Sequence, residues 1–211
     1  MPYSTKQQQA VLHCLEQRRE ELLAANALDV QAGREAGMSQ ALLDRLSLTE
    51  ARIQDMAAAV EEVAKSADPV GKTLSGQRLP NGLQLEKVTV PLGVIGIIYE
   101  ARPNVTVDAA ALCLKSGNSV LLRGGREAFH SNKALISVMR DALEHVGLPR
   151  DCIALVEDTS RDSANELMHL TAYLDVLIPR GGAGLIRSVV ENARVPVIQT
   201  GVGVCHVYVH A

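Results

Sequence analysis

Short apolar runs alternate with amphipathic helical patterns along most of the chain. The runs are rich in Val, Ile and Leu and are apolar on both faces, which is typical of strands inside a parallel sheet. They are GVIGIIYE (93–100), SVLLRG (119–124), CIALVE (152–157), DVLIPR (175–180) and VPVIQT (195–200). The helical patterns between and after them cover 106–118, 131–147, 163–170 and 184–193. This alternation predicts an α/β fold, a doubly wound parallel sheet with any ligand site at the carboxyl ends of its strands.

In the N-terminal third of the chain, the sequence pattern predicts helices and no strands. Ser47 followed by Glu50 predicts a helix start, and the Asp-Pro pair at 68–69 predicts its end. The apolar positions on one face of this helix are Ile53, Met56, Val60 and Val63. Residues 70–82 are rich in turn formers, and LQLEKVTV (83–90) predicts a half-buried strand.

Composition narrows the class of function. Lys and Arg total 21 against 24 Asp and Glu, a formal net charge of -3, so the chain lacks the basic excess that attracts a phosphate backbone. Aromatic residues make up 2%, too few for base stacking. The sequence contains neither a long apolar run nor a signal-peptide pattern. We therefore expect a cytoplasmic globular protein that binds neither nucleic acid nor membrane.

The cysteines show no spacing typical of a metal site or a disulfide framework. They are Cys14, Cys113, Cys152 and Cys205, and the histidines show no ligand spacing either. Cys205 next to His206 resembles a thiol with its base, but strand alternation places the two side chains on opposite faces. We expect free, inert thiols and no metal.

A glycine-rich loop, RGGAG at 180–184, joins an apolar run to a helical pattern. Free backbone N–H groups at such a helix start favour a pyrophosphate. The alternative is a helix-entry loop in which the glycines only supply unusual dihedral angles. The loop by itself leaves both interpretations open.

A second loop, RGGRE at 123–127, follows the second apolar run, where the adenosine ribose of a dinucleotide is usually bound. Arg123 and Arg126 suit the 2′-phosphate of NADP because guanidinium groups bind phosphate oxygens in pairs. Glu127 is suited to the ribose hydroxyls. The alternative is a solvated surface turn.

Several longer stretches resemble the γ-glutamyl phosphate reductase family, also called glutamate-5-semialdehyde dehydrogenases. They are VPLGVIGIIYEARPNVTVDAAALCLKSGNSVLLRGG (90–125), DVLIPRGGAGLI (175–186), VPVIQTGVGVCHVYV (195–209) and ANALDVQAGREAGMSQALLDRLSLTEARI (25–53). The resemblance implies an aldehyde-dehydrogenase-like fold and NADPH-dependent reduction of L-glutamate 5-phosphate in proline biosynthesis, through a thioester on a cysteine. It also implies a homo-oligomer and a glutamate 5-kinase partner for the full-length form.

The resemblance also implies roles for individual residues. Asn104 matches the asparagine whose amide donates to the oxyanion, with a helix cap as the alternative. Arg102 is the candidate for steering the substrate phosphate, not from the resemblance but because it is a cation in the same loop as Asn104. Gln199-Thr200-Gly201 stand where aldehyde-oxidising relatives carry a water-activating Glu, which disfavours that reaction. The expected cofactor-binding residues are Glu100, Ala101, Arg123, Gly124, Gly125, Arg126, Glu127, Gly181, Gly182, Ala183, Gly184 and Leu185.

The resemblance covers only the cofactor-binding half of that family. We expect residues 1–211 to form a truncated NADP-binding domain, with 83–90 belonging to an oligomerisation sheet and the catalytic domain absent. The chain is then a truncated product, an expressed fragment or an incomplete reading of the gene, and it is inactive by itself. The alternative is a non-catalytic NADP-binding or assembly module. The reading frame after Ala211 distinguishes the two.

Overall fold

The computed structural model describes residues 5–199 and 207–209, and the side chains of residues 5–9 and 12 are outside that description. In this part of the chain the helices are α1 (Thr5–Gln17), α2 (Arg19–Glu35), α3 (Gln40–Leu46), α4 (Glu50–Lys65), α5 (Pro103–Lys115), α6 (Phe129–His145), α7 (Arg161–His169) and α8 (Ala183–Asn192). The strands are β1 (Thr73–Arg78), β2 (Gln84–Val88), β3 (Val94–Tyr99), β4 (Ser119–Arg123), β5 (Ile153–Leu155) and β6 (Val176–Arg180).

Over the described residues, four parallel strands form the central sheet in the order β5-β4-β3-β6. Ile97 in the middle of β3 lies opposite Leu122 of β4 and Ile178 of β6. The chain runs outward from β3 to β4 and β5, and then returns to the other side of β3 with β6. This arrangement confirms the predicted doubly wound α/β sheet. It places the topological switch point between the carboxyl ends of β3 and β6.

Both faces of the sheet are buried, each under its own group of helices. On β3, Ile97 and Tyr99 pack into one apolar core with residues of α1, α4, α5 and α6, whereas Ile98 packs into a second core with residues of α7 and α8. This alternation follows from the two-residue period of a strand. Because each face is covered, the loops at the strand ends start from a rigid framework.

Thr49, rather than Ser47, caps α4. The Thr49 hydroxyl accepts a hydrogen bond of 3.2 Å from the backbone N–H of Arg52, whereas the Ser47 hydroxyl donates 2.7 Å to the carbonyl of Leu43. Ser47 therefore ends α3, and the predicted helix start is wrong. Both residues are good caps, and the sequence alone does not show that α3 continues to Leu46 and takes Ser47 as its own last cap. The predicted helix end is confirmed, since α4 stops at Lys65.

The stretch 70–82 is not only turns, because it contains β1. This strand pairs antiparallel with β2, through a turn at whose end Gly82 has a φ of +89°, a value that favours glycine. The predicted half-buried strand at 83–90 is wrong in its burial: β2 is exposed on both faces, and Leu85 is 51% exposed. VPVIQT is not a strand either, because within its described residues it makes one bridge, from Val197 to Leu177.

Buried polar side chains fasten α2 to the start of α6. The Asp29 carboxylate accepts hydrogen bonds from the backbone N–H groups of His130 (3.1 Å) and Ser131 (2.7 Å), and from the Ser131 hydroxyl (2.6 Å). The Asn26 amide donates to the Ser131 hydroxyl at 3.0 Å and to the carbonyl of Leu46 at 2.9 Å. The N-terminal helices thus hold the beginning of α6, which directly follows the 123–127 loop.

Candidate active site

The switch point between β3 and β6 brings Glu100 against the glycine-rich loop. One carboxylate oxygen of Glu100 accepts a hydrogen bond of 3.0 Å from the backbone N–H of Gly182, the residue that precedes the first turn of α8. The start of a helix carries partial positive charge and free N–H groups. An anionic oxygen is already bound there, so these residues fit the phosphate of a dinucleotide.

The glycines of this loop do not supply unusual dihedral angles, and one of them, Gly181, allows a close approach. None of Gly181, Gly182 and Gly184 has a positive φ among the described residues. A Cβ on Gly181 would lie 2.7 Å from the carboxyl carbon of Glu100 and 2.8 Å from a methyl group of Leu185. The dihedral alternative is therefore wrong, and Gly181 is glycine because Glu100 and Leu185 pack directly on it. A Cβ on Gly182 would lie 3.9 Å from the Glu100 carboxylate, and one on Gly184 would meet nothing within 4 Å.

The 123–127 loop lies beside the same end of β3. A Cβ on Gly125 would contact the Glu127 carboxylate and would lie 3.5 Å from the backbone nitrogen of Ala101. Gly124 is buried against the side-chain amide of Asn132. The fold thus brings Ala101, the glycine pair and Glu127 together, as the sequence predicts for one binding site.

The two arginines of this loop have different surroundings. Arg123 is half-buried, and its guanidinium donates to the carbonyls of Thr159 (2.8 Å), Ser160 (2.7 Å) and Gly124 (3.3 Å). Burial lowers the pKa of Arg123, and its Nε is buried without a partner among the described residues. Arg126 is exposed, and its guanidinium makes no hydrogen bond or ion pair within that part of the chain. Arg123 therefore fastens the β5–α7 loop, and Arg126 is the arginine available to a ligand.

Asn104 lies in the first turn of α5. Arg102 occupies the N-cap position and Pro103 is the first residue of the helix, so the helix-cap alternative for Asn104 is wrong. Its amide instead donates a long hydrogen bond of 3.4 Å to a carboxylate oxygen of Asp108. Burial raises the pKa of Asp108, opposed by that hydrogen bond and by the charge of Arg180.

Two cavities adjoin at this point. The first, which we call the Asn104 cavity, measures about 430 Å³ and lies between α3, α4 and the start of α5. The second, the glycine-loop cavity, measures about 380 Å³ and is lined by Glu100, Arg180 and the glycine pair at 181–182. Arg45 and Arg102 line both cavities. A ligand reaching from the glycine loop to Asn104 would pass these two cations.

Sequence reasoning missed two residues of these cavities. Asp108 was detectable, because it is the one charged residue in the apolar stretch VTVDAAALCL (105–114) and lies one helical turn after Asn104. Arg45 had no such signal. It lies on α3, more than fifty residues before the loop that it faces.

A series of buried hydrogen bonds supports the 123–127 loop from below. The Tyr99 hydroxyl lies 2.7 Å from the Thr106 hydroxyl, which donates 2.7 Å to the amide oxygen of Asn132. Burial raises the pKa of Tyr99, so this phenol stays protonated. These hydrogen bonds link β3, α5 and α6 beneath Gly124.

The described thiols lie away from both cavities. Cys113 and Cys152 are buried, and burial raises the pKa of Cys113 to about 12. Cys14 is half-buried on α1. The predictions for Cys205 and for the loop at 200–204 fall outside the described residues. In the described part of the chain, no His, Cys, Asp or Glu residues group into a metal site, and no helix is long and apolar enough to cross a membrane.

Comparison of the sequence with known proteins identifies the family of this chain. The sequence profile of the aldehyde dehydrogenase family matches residues 6–199. The chain belongs to the aldehyde dehydrogenase family. Membership implies a nicotinamide cofactor.

Within this family, the aldehyde dehydrogenase chain is similar to the γ-glutamyl phosphate reductase of Moorella thermoacetica. The two are 62% identical over 202 residues, which cover 96% of this chain and 48% of that protein. The crystal structure of the γ-glutamyl phosphate reductase of Thermotoga maritima matches with a TM-score of 0.93 at 46% identity, over 95% of this chain and 49% of that one. The Saccharomyces cerevisiae structure of the same name matches with a TM-score of 0.82 at 29% identity, over 93% and 51%. These findings confirm the resemblance predicted from the sequence. The chain spans about half the length of the relatives that it matches.

Proposed function

We propose that this chain is the NADP-binding part of a γ-glutamyl phosphate reductase, which reduces L-glutamate 5-phosphate to L-glutamate 5-semialdehyde and phosphate in proline biosynthesis. One observation carries the proposal: the glycine-loop cavity and the Asn104 cavity adjoin and share two arginines, Arg45 and Arg102. A phosphate-bearing substrate and a dinucleotide need such neighbouring sites. The relatives that bear this enzyme's name support the choice of substrate.

The glycine loop and the 123–127 loop would bind the cofactor. The N–H of Gly182 at the start of α8 is suited to a pyrophosphate oxygen, and Glu127 is suited to the ribose hydroxyls. Arg126 is suited to the 2′-phosphate that distinguishes NADP from NAD, because its guanidinium is exposed. When bound, the cofactor supplies the hydride.

Asn104 and Arg102 would act on the substrate. The Asn104 amide donates to the carbonyl oxygen of the acyl group, where negative charge grows during reaction. Arg102 attracts the phosphate and stabilises it as it leaves. Gln199, where an aldehyde-oxidising relative carries a Glu, provides no carboxylate to activate water, which preserves an acyl intermediate for reduction.

The β1–β2 hairpin would serve assembly in a homo-oligomer. Both strands are exposed throughout, and Leu74, Leu83 and Leu85 are each at least half exposed. An exposed strand edge with apolar side chains is suited to pairing with another chain. The glutamate 5-kinase partner and the cytoplasmic location stay predictions of the sequence.

Titration calorimetry of the purified chain with NADP and with NAD tests the cofactor assignment. We expect tighter binding of NADP, and equal affinities would contradict it. The reaction is tested by supplying glutamate semialdehyde, phosphate and NADP to the full-length protein and following NADPH absorbance. No phosphate-dependent formation of NADPH would contradict the proposed reaction.

A further inference from the structure

The Asn104 cavity carries both signs of charge, which a binding site for phosphate alone does not need. Its charged lining residues are Asp44, Arg45, Arg52, Asp55, Arg102 and Asp108. Arg52 and Asp44 pair with each other at 2.9 Å, so they are already neutralised. The side chains of Asp55, Arg45 and Arg102 make no hydrogen bond or ion pair with any described residue. The cavity therefore offers both cations and carboxylates to a ligand.

Of the carboxylates that line this cavity, Asp108 is the one that is hydrogen-bonded to Asn104. It is half-buried, and the one hydrogen bond that its carboxylate makes within the described chain is the long one from Asn104. Arg180 attracts Asp108 electrostatically but forms no ion pair with it. A carboxylate that is partly desolvated and lacks a close cation gains from a ligand that brings one.

The spacing of Asn104 and Asp108 fits a glutamyl chain. Residues four apart on a helix are separated by about 6 Å along its axis. In an extended γ-glutamyl group, the carbonyl carbon and the α-nitrogen are about 5 Å apart. When the Asn104 amide donates to the carbonyl oxygen, the α-ammonium lies within reach of Asp108.

We propose that Asp108 binds the α-ammonium of the substrate and makes the site specific for γ-activated α-amino acids over the corresponding acids without an amino group. The inference rests on the proposed function and names the residue that recognises the amino-acid end. The phosphate end is left to Arg102 and Arg45, at the junction of the two cavities. A charged hydrogen bond of this kind is worth about 10- to 100-fold in affinity.

The test uses two stable probes with the purified chain and saturating NADP. One is the analogue of L-glutamate 5-phosphate in which CH₂ replaces the bridging oxygen, and the other is the same molecule without the α-amino group. By calorimetry, the wild-type chain should bind the amino probe about 10- to 100-fold more tightly. Asp108→Asn should abolish that difference, because the neutral amide no longer attracts the ammonium. Asp162→Asn on α7, outside the cavity, should behave as wild type.

Thermal melting and NADP affinity show that each variant is folded. Equal binding of the two probes by the wild-type chain, a difference that persists in Asp108→Asn, or no binding of either probe would overturn the proposal. Failure to bind NADP in a separate titration without the probes would instead contradict the proposed function. The two failures are thus separate observations.

Discussion

Glu100 and Gly182 share one hydrogen bond at the point where a cofactor phosphate would bind. The Glu100 carboxylate accepts a hydrogen bond of 3.0 Å from the Gly182 N–H, at the start of α8. A pyrophosphate would use the same N–H and the same partial positive charge of the helix. The carboxylate therefore competes with the cofactor for this position and adds a repulsive charge beside it.

Replacing Glu100 by Gln should tighten the binding of NADP. The change removes the negative charge but keeps an oxygen that can accept from Gly182. We expect an increase of about three- to tenfold in affinity at low ionic strength, less at high salt. Calorimetry measures it, with Glu166→Gln on the exposed side of α7 as the control. Weaker binding would show that Glu100 contacts the cofactor through a hydroxyl group instead.

Arg126→Ala should remove the preference for NADP over NAD, because Arg126 is the free cation of its loop. We expect about a 10- to 100-fold loss of NADP affinity and little change for NAD. Arg123→Ala should weaken the binding of NADP and NAD equally, since Arg123 holds the β5–α7 loop through Thr159 and Ser160. Paired titrations of the two variants decide this. A loss confined to NADP in Arg123→Ala would reverse the two roles.

Asn104→Ala in the full-length protein should lower turnover about 100-fold or more, with NADP affinity unchanged. The amide lies in the Asn104 cavity and not at the glycine loop, so it acts on the substrate oxygen. Steady-state kinetics and calorimetry measure the two quantities separately. Near-normal turnover would limit Asn104 to its hydrogen bond with Asp108.

Asp29→Ala should destabilise the fold by about 2–4 kcal/mol. The variant leaves the first N–H groups of α6 without the buried carboxylate that they now bind, at His130 and Ser131. Urea unfolding gives the free energy, and Glu166→Gln is the control, with an expected change near zero. A loss no greater than that of the control would show that water replaces the carboxylate at this helix start.

The sequence predicted the helices and strands whose own residues determine them. The buried strands β3, β4 and β6 were visible as apolar runs, and Gly117 ends α5 with a φ of +74°. β1 was missed because both of its faces are exposed and its residues, TLSGQR, show no alternation. What specifies β1 is its pairing with β2, which is a property of two segments together.

In the candidate site, too, features of a single segment were predictable from the sequence, and features that depend on the packing of distant segments were not. The loops at 123–127 and 180–184 were recognisable because each places glycines directly after an apolar run. Arg123 and Arg126 looked equivalent in the sequence, and only the contacts of Arg123 with the β5–α7 loop separate them. The junction of the two cavities at Arg45 depends on how α3 packs, which no local pattern reports.

Asp108→Asn should stabilise the folded chain at neutral pH even though it removes the proposed ammonium site. Burial raises the pKa of Asp108 in the folded state above its unfolded value of about 3.9. A carboxyl with a raised pKa binds its proton more tightly when folded. Its stabilising contribution is therefore complete below the unfolded pKa and is lost as the pH rises through the folded pKa. At pH 7 the wild-type chain carries the full cost of the buried charge, which Asn does not carry.

The gain in unfolding free energy of Asp108→Asn over wild type should consequently be largest at pH 7 and shrink as the pH falls toward 4. Urea unfolding at a series of pH values measures it, with Glu166→Gln showing no such pH dependence. Asn at position 108 retains an oxygen that accepts from Asn104, so the hydrogen bond itself is kept. A variant less stable than wild type at pH 7, or a difference that does not change with pH, would show that the charge of Arg180 already compensates the buried carboxylate.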